Sequence, residues 1–189
     1  MLRRLRPPQR PIRLAVVGLP GSGKTTQARW LSIEFGIPCV SLREEVAALA
    51  KTDSLLGDAL RVHISAPVWQ PLPDELALVV VTESIVDLDS WILEGFPRNR
   101  EQAIAVLERL ATVVHLDISA ELSMQRMVGR ARDPEDPATV SQRQDVERGR
   151  FADLLAYCRE EFRVIEVDGS LQEDVVTKTI LDALCGGRR

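Results

Sequence analysis

Apolar and polar positions alternate along this chain in blocks that predict strands and helices in regular succession. Short apolar runs predict five strands, and longer stretches with apolar residues three or four positions apart predict the helices between them. The strands are predicted at residues 12–17, 37–41, 90–94, 112–116 and 163–167. Strands that alternate with helices favour a parallel sheet covered by helices on both faces. The pattern therefore predicts an α/β fold of three layers around a five-stranded parallel sheet.

Helices are predicted in the intervals between these strands. In the first of them, Ala28, Leu31 and Phe35 have the spacing of one helix face. The helix that follows the proline-rich stretch 67–73 begins with proline and two acidic residues, which is typical of a helix N-terminus. The predicted helices span residues 25–35, 43–51, 54–64, 73–86, 101–110, 120–131, 138–161 and 171–184.

Length, charge and cysteine content restrict the classes of protein to which this chain can belong. Its 189 residues suit one domain, which we place at residues 12–186 after a basic, proline-rich leader at 1–11 that we expect to be disordered. A net charge of −4 gives no indication of nucleic-acid binding, and no apolar run has the length of a membrane span. Three widely spaced cysteines indicate free thiols in a reducing compartment. We therefore expect a cytoplasmic monomer that binds neither nucleic acid nor membrane.

The segment Gly18-Leu-Pro-Gly-Ser-Gly-Lys-Thr25 connects the first predicted strand to the first predicted helix. It fits the P-loop (Walker A) pattern, in which glycines allow successive backbone N–H groups to converge on phosphate oxygens. The helix that follows directs the positive end of its dipole at the same point. Lys24 brings a mobile positive charge to the β- and γ-phosphates, and the Thr25 hydroxyl is placed to bind Mg²⁺. The segment therefore predicts binding of a nucleoside triphosphate.

A second candidate segment, Glu94-Gly-Phe-Pro-Arg98, follows the third predicted strand. Ligands of parallel α/β sheets bind at the carboxyl ends of the strands, so this segment and the P-loop are expected to face one cleft. Glu94 is placed where P-loop proteins hold Mg²⁺ or one of its water ligands. Arg98 is placed to reach an anion in the same cleft.

Together these two motifs resemble those of the adenylate kinase family of nucleoside monophosphate kinases. That family usually carries an aspartate where this chain has Glu94. The resemblance extends over about residues 12–184 and includes Gln102, the segment 117–130 and Val167-Asp-Gly169. It implies a P-loop NTPase-type fold and transfer of the γ-phosphoryl group of Mg-ATP to a nucleoside monophosphate, with AMP as the leading acceptor.

The resemblance also implies roles for individual residues. ATP is expected to contact Gly18, Pro20, Gly21, Ser22, Gly23, Lys24, Thr25 and Thr26. The acceptor is expected to contact Ser41, Gly95, Phe96, Arg98 and Gln102, together with a helical acceptor-binding segment at 43–73. The charges that catalyse the transfer are expected from Lys24, Arg98, Arg126, Arg130, Arg132 and Arg143. The magnesium ion is expected at Thr25 and Glu94.

The chain departs from the family on the acceptor side. The arginine that the family carries in the helix after the second strand is replaced by Ala47. Arg43 lies one turn earlier on the same helix face and is a candidate substitute for the acceptor phosphate; the alternative is an ion pair with Glu44 or Glu45. Leu42 occupies the position of a threonine near the acceptor base, so the identity of the base stays open.

A further departure is the very short lid. Only one residue separates Arg130 from Arg132, which in the family lie at either end of an insert, so residues 131–137 form a minimal lid. A lid excludes water and commits the substrate, so we expect closure by a short loop movement. In the acceptor segment, Trp69 suits either stacking on a base or ordinary packing.

Two other functions remain alternatives. The first is a P-loop kinase for a small metabolite hydroxyl, which would require a general base such as Glu94 or Asp53. The second is a nucleotide-binding module without catalysis, which Ala47, Leu42 and the minimal lid favour. The Glu-Gly-Phe-Pro-Arg segment favours the nucleoside monophosphate kinase over both.

Overall fold

The computed structural model describes residues 11–66, 70–128 and 137–186, and the side chains of these residues except 128 and 137–148. The leader residues 1–10 lie outside these ranges. The strands are β1 (Arg13–Gly18), β2 (Cys39–Ser41), β3 (Trp91–Glu94), β4 (Thr112–Asp117) and β5 (Arg163–Asp168). The helices are α1 (Lys24–Phe35), α2 (Leu42–Leu49), α3 (Leu55–Ile64), α4 (Asp74–Ile85), α5 (Arg100–Ala105), α6 (Ala120–Val128), α7 (Pro137–Glu161) and α8 (Glu173–Gly186).

The five strands form one parallel sheet in the order β2-β3-β1-β4-β5, which confirms the predicted architecture. The central strand is β1, which pairs with β3 on one side and β4 on the other. The chain first builds β2 and β3 on one side of β1 and then crosses over to build β4 and β5. The carboxyl end of β1 is therefore where the strand order reverses, and ligands of such sheets bind at that position.

Helices cover both faces of the sheet, and each face has its own hydrophobic core. Side chains of β1 alternate between the two cores, with Leu14 and Val16 in one and Ala15 and Val17 in the other. The first core is completed by α1 and α8. The second is completed by α2, α3, α4, α5 and α7. The P-loop therefore lies at the carboxyl end of β1, and the helix that follows it, α1, packs in the first core.

Most element boundaries lie within one or two residues of the prediction, and hydrogen bonds explain the differences at α5 and β2. The helix predicted at 101–110 ends at Ala105, because the N–H groups of Val106 and Arg109 reach back only three residues and the chain turns. Val106 and Leu110 are nevertheless buried, which gave the segment a helical spacing of apolar residues. β2 begins at Cys39 instead of residue 37, because the Ile37 N–H closes the end of α1 by donating to the Ser32 carbonyl at 3.2 Å.

The imidazole of His115, on β4, is buried in the second core. It lies 5.4 Å from the Phe151 ring, measured between centroids, and its Nδ1 has no hydrogen-bond partner among the described residues. Burial lowers the pKa of His115, and the nearby carboxylates of Asp117 and Glu166 oppose this effect only in part. His115 is therefore neutral in the folded protein at neutral pH.

We expect His115 to make the folded protein less stable as the pH falls. The unfolded chain binds a proton near the ordinary histidine pKa of about 6.5, whereas the folded chain resists protonation until a lower pH. The stability that depends on neutral His115 is therefore fully present above about pH 6.5 and is lost as the pH falls below this value. Denaturant unfolding at about pH 7.5 and about pH 5 should show a smaller loss of stability for His115→Leu than for wild type, by at most about 1.4 kcal/mol per pH unit.

The matched control is His63→Leu, because His63 lies on α3 and is partly exposed. This variant should keep the pH dependence of the wild type. A pH dependence in His115→Leu equal to that of the wild type would contradict the prediction.

Candidate active site

The P-loop connects β1 to α1 at the centre of the sheet, and glycines determine its path. Gly21 and Gly23 have φ angles of 79° and 97°, which side-chain-bearing residues rarely adopt, and Gly23 is the N-cap of α1. A Cβ atom added at Gly18 would lie 2.6 Å from the Leu116 carbonyl oxygen of the neighbouring strand. Ser22 is 3% exposed, so its side chain lies beneath the loop. The glycines of the predicted P-loop therefore occupy positions at which a side chain would clash or the backbone φ angle would be unfavourable.

Lys24 is the first residue of α1, and its side chain folds back over the loop. Its Nζ donates to the carbonyl oxygens of Gly18 at 2.8 Å and Leu19 at 2.9 Å. Pro20 and Thr26, which were also predicted to contact ATP, flank this position and are partly exposed. The ammonium group thus lies at the mouth of the loop, where a phosphate chain bound to the backbone N–H groups would meet it.

Helix α6 anchors the P-loop from outside. The Ser123 hydroxyl donates to the Pro20 carbonyl at 2.7 Å, and Arg126 Nη1 donates to the carbonyls of Gly21 at 3.2 Å and Gly169 at 2.9 Å. Because C=O and N–H of a trans peptide point in opposite directions, anchoring the Pro20 carbonyl on α6 turns the Gly21 N–H away from that helix. Ser123 and Arg126 therefore help to fix the direction of the loop's amide groups.

Glu94, at the end of β3, connects the P-loop to the start of α2. Its side chain is buried, with Oε1 accepting from the Thr25 hydroxyl at 3.1 Å and Oε2 accepting from the Ser41 hydroxyl at 2.8 Å. The two residues predicted to hold a metal ion are thus in direct contact. A hydroxyl and a carboxylate form a donor set of hard oxygens, which fits Mg²⁺.

The Cys39 thiol lies near this carboxylate on β2. Burial raises the pKa of Cys39 to about 11, and the negative charges of Glu94 and Glu44 act in the same direction. The thiol is therefore protonated at neutral pH, and it lacks the thiolate form that a cysteine nucleophile requires.

The segment after Glu94 presents Arg98 and directs Phe96 inward. Gly95 has a φ angle of 77°, and the peptide bond between Phe96 and Pro97 is cis. Phe96 was predicted to contact the acceptor; the residue is 1% exposed, and its side chain packs in the second core. Arg98 is exposed, and its Nε donates to the Gly95 carbonyl at 2.7 Å.

Gln102, predicted to contact the acceptor base, is a buried member of a polar network. Its Oε1 accepts from the Arg98 N–H at 2.7 Å, and its Nε2 donates to Asp74 Oδ1 at 2.7 Å. Asp74 Oδ2 accepts from Asn99 Nδ2 at 2.8 Å. Sequence reasoning missed Asp74 and Asn99 as members of the site. The Asn-x-x-Gln spacing at 99–102 is the signal that would have shown Asn99 as a helix cap.

Arg43 is exposed on α2, and Ala47 is exposed one turn later. The alternative ion pairs with Glu44 and Glu45 are not formed: Glu44 pairs with Arg29 at 2.5 Å, and Glu45 accepts from the Ser84 hydroxyl at 3.2 Å. Among the described residues, Arg43 has no hydrogen-bond or ion-pair partner. Leu42 is 2% exposed and packs in the second core.

Several predicted residues lie outside the part of the chain that the structure describes. These are Trp69, Arg130, Arg132 and the lid residues 131–136. Arg143 lies in α7, but its side chain is outside the described set. Within the described ranges, no three His, Cys, Asp or Glu residues gather closely enough to hold a metal ion. None of the described helices combines the length and apolar character of a membrane span.

The sequence of this chain is similar to known proteins over most of its length. Residues 16–165 match the sequence model of a family described as adenylate kinase. Adenylate kinase 1 of Synechocystis sp. is 29% identical over 177 residues, which cover 88% of this chain and 94% of that protein. Adenylate kinase of Cyanothece sp. is 32% identical over 183 residues, covering 89% of this chain and 92% of that protein. Adenylate kinase of Mycobacterium leprae is 30% identical over 177 residues, covering 86% and 94% respectively.

We expect Ser123→Ala to weaken ATP binding, because it removes the hydrogen bond that holds the Pro20 carbonyl. One hydrogen bond of this kind corresponds to roughly a fivefold change in affinity. Equilibrium binding of ATP measures the effect. Ser32→Ala is the matched control, since Ser32 Oγ donates to the Ile37 carbonyl at the far end of α1. Equal ATP affinities for Ser123→Ala and Ser32→Ala would refute the anchoring role.

Proposed function

This chain belongs to the adenylate kinase family and is a nucleoside monophosphate kinase, and we propose that it transfers the γ-phosphoryl group of ATP to AMP. The observation that carries the proposal is the position of Glu94, whose carboxylate contacts Thr25 of the P-loop and Ser41 at the start of α2. One carboxylate thus lies between the proposed donor and acceptor sites. The relatives named adenylate kinase support AMP as the acceptor.

On the donor side, we infer that the P-loop backbone binds the phosphates of ATP. The contacts come from Gly18, Pro20, Gly21, Ser22, Gly23, Lys24, Thr25 and Thr26. When ATP binds, the Lys24 ammonium exchanges the carbonyls of Gly18 and Leu19 for phosphate oxygens, which form stronger, charge-assisted hydrogen bonds. The anchors on α6 keep the loop in place during this exchange.

The oxygens of Thr25 and Glu94 are the proposed protein ligands of Mg²⁺, bound directly or through water. When present with ATP, the ion neutralises negative charge on the phosphates. The chain's own contribution is to hold these ligands in position. Ser41 does this for Glu94 by binding its second oxygen at 2.8 Å.

The acceptor phosphate is already an anionic nucleophile, so its reaction requires positioning and charge neutralisation more than a general base. We propose that Arg98 binds this phosphate and that Arg43 supplies the charge missing at Ala47. We propose that the adjoining wall is formed by Ser41, Gly95, Phe96 and Gln102, with residues 43–73 as the acceptor-binding segment. From the family resemblance, we propose that Arg126, Arg130, Arg132 and Arg143 contact the phosphates, with residues 131–137 as the short lid.

A small-metabolite hydroxyl is a poorer acceptor for this site. Such a substrate requires a general base. Both oxygens of Glu94 already accept hydrogen bonds from hydroxyl groups, and the side chain is buried. Asp53 is exposed in the turn between α2 and α3. A phosphate acceptor avoids this requirement.

We further propose that the protein works as a cytoplasmic monomer with one catalytic domain at residues 12–186. Cys39, Cys158 and Cys185 are free thiols, which suits a reducing compartment. Lys24 of the P-loop, Glu94 and Arg98 find hydrogen-bond partners within the same chain.

We expect AMP to give the highest kcat/KM in a panel of nucleoside monophosphates assayed with Mg-ATP by coupled detection of ADP. Lys24→Met should reduce kcat for the best acceptor by about 100-fold or more, because charge stabilisation during phosphoryl transfer is lost. Lys178→Met, which changes an exposed lysine on α8, is the matched control. ATP binding without turnover on any monophosphate would select the non-catalytic nucleotide-binding module instead.

We expect Arg43→Ala to raise the KM for the acceptor by about tenfold, the value of one charge-assisted contact, while leaving the KM for ATP unchanged. Steady-state kinetics with each substrate varied in turn measures both constants. Arg109→Ala, at the opposite, amino-terminal end of the strands, should leave both constants at the wild-type value. An unaltered acceptor KM in Arg43→Ala would remove Arg43 from the site.

A further inference from the structure

Arg98 is held by its backbone as well as by its side chain. The backbone N–H donates to Gln102 Oε1, and the side-chain Nε donates to the Gly95 carbonyl, both at 2.7 Å. Arg98 is exposed. The direction in which Arg98 meets an anion therefore depends on the orientation of the Gln102 amide group.

The Gln102 amide is oriented by Asp74 in turn. Gln102 is 3% exposed, and its Nε2 donates to Asp74 Oδ1 at 2.7 Å. Asn99, which is 4% exposed, donates its Nδ2 to Asp74 Oδ2 at 2.8 Å and accepts the Gln102 backbone N–H on its Oδ1 at 2.8 Å. One carboxylate on the first turn of α4 thus receives an amide hydrogen bond on each of its two oxygens.

A carboxylate is suited to this task because it only accepts hydrogen bonds. With an NH₂ group on each side of Asp74, the carbonyl oxygens of both amides must point the other way. Gln102 Oε1 then meets the Arg98 N–H, and Asn99 Oδ1 meets the Gln102 N–H. Replacing one carboxylate oxygen with NH₂ would set two donors against each other and force one amide to turn over.

We propose that Asp74 is a positioning residue for the acceptor phosphate: it orients the Gln102 amide, which in turn holds the backbone of Arg98. This inference rests on the proposed function, because it assigns the network to the acceptor side of the reaction. It also gives Gln102 a positioning role in addition to the predicted contact with the acceptor base.

The test compares Asp74→Asn with Glu75→Gln. Both substitutions remove one negative charge from the first turn of α4, but Glu75 is exposed and has no hydrogen bond to this network. We expect Asp74→Asn to raise the acceptor KM by about tenfold, the value of one hydrogen bond to a charged group, and to leave the KM for ATP unchanged. Glu75→Gln should leave both constants unchanged.

A double-mutant cycle separates positioning from general stability. If Asp74 acts through Arg98, Asp74→Asn should raise the acceptor KM in the wild-type background and have no further effect in the Arg98→Ala background. Equal effects in both backgrounds, an equal rise in the KM for ATP, or no change at all would each overturn the proposal. If Asp74→Asn fails to fold in thermal unfolding, Asn99→Ser, which removes the donor to Asp74 Oδ2 but keeps a side-chain oxygen for the Gln102 N–H, replaces it in the same cycle with the same expected outcomes.

Different experimental results would overturn the proposed function and this inference. A wild-type protein that phosphorylates no nucleoside monophosphate would overturn the proposed function, and the acceptor role of the network with it. An active wild type whose acceptor KM does not respond to Asp74→Asn would overturn the inference alone.

Discussion

The carboxylate of Glu94 is the contact on which the rest of the candidate site depends. In the sheet register, Glu94 of β3 pairs with Val16 of β1 on one side and with Ser41 of β2 on the other. A carboxylate that is 8% exposed is costly to bury unless both of its oxygens find donors. The hydroxyls of Thr25 and Ser41 meet this need. The requirement to satisfy one buried charge therefore holds the first turn of α1 and the start of α2 at a fixed separation.

In the P-loop, by contrast with Glu94, the backbone N–H groups must remain available for a ligand. Its carbonyls therefore have to be satisfied by other groups. Lys24 binds two of them from above, and α6 binds two more through Ser123 and Arg126. The position of Arg126 depends on the loop after β5, because the same guanidinium also binds the Gly169 carbonyl. Elements that follow β4 and β5 thus help to build the phosphate-binding surface at the end of β1.

The sequence predicted the parts of this structure that depend on local patterns. The five strands, the P-loop glycines, and the pairing of Thr25 with Glu94 follow from apolar runs and from motifs at strand ends. The contacts of Ser123 with Pro20 and of Asp74 with Gln102 join residues 103 and 28 positions apart, and no local spacing encodes them. The end of α5 was misplaced for a related reason: Val106 and Leu110 are buried by tertiary packing in a turn, yet their spacing is that of a helix.

The two arginines proposed for the acceptor phosphate differ in how far they are restrained before a ligand binds. Arg98 already has its backbone and Nε fixed by Gln102 and Gly95, so it loses little conformational freedom on meeting an anion. Arg43 is exposed and has no such restraint among the described residues, so the ligand itself must order its long side chain, which costs about 2 kcal/mol of rotamer entropy at most. For an equal contact with phosphate, Arg98 therefore contributes more to binding. A chain that lacks the arginine at Ala47 would then rely on the rigidity of the segment after β3 to hold its acceptor, and that rigidity comes from the hydrogen bonds converging on Asp74.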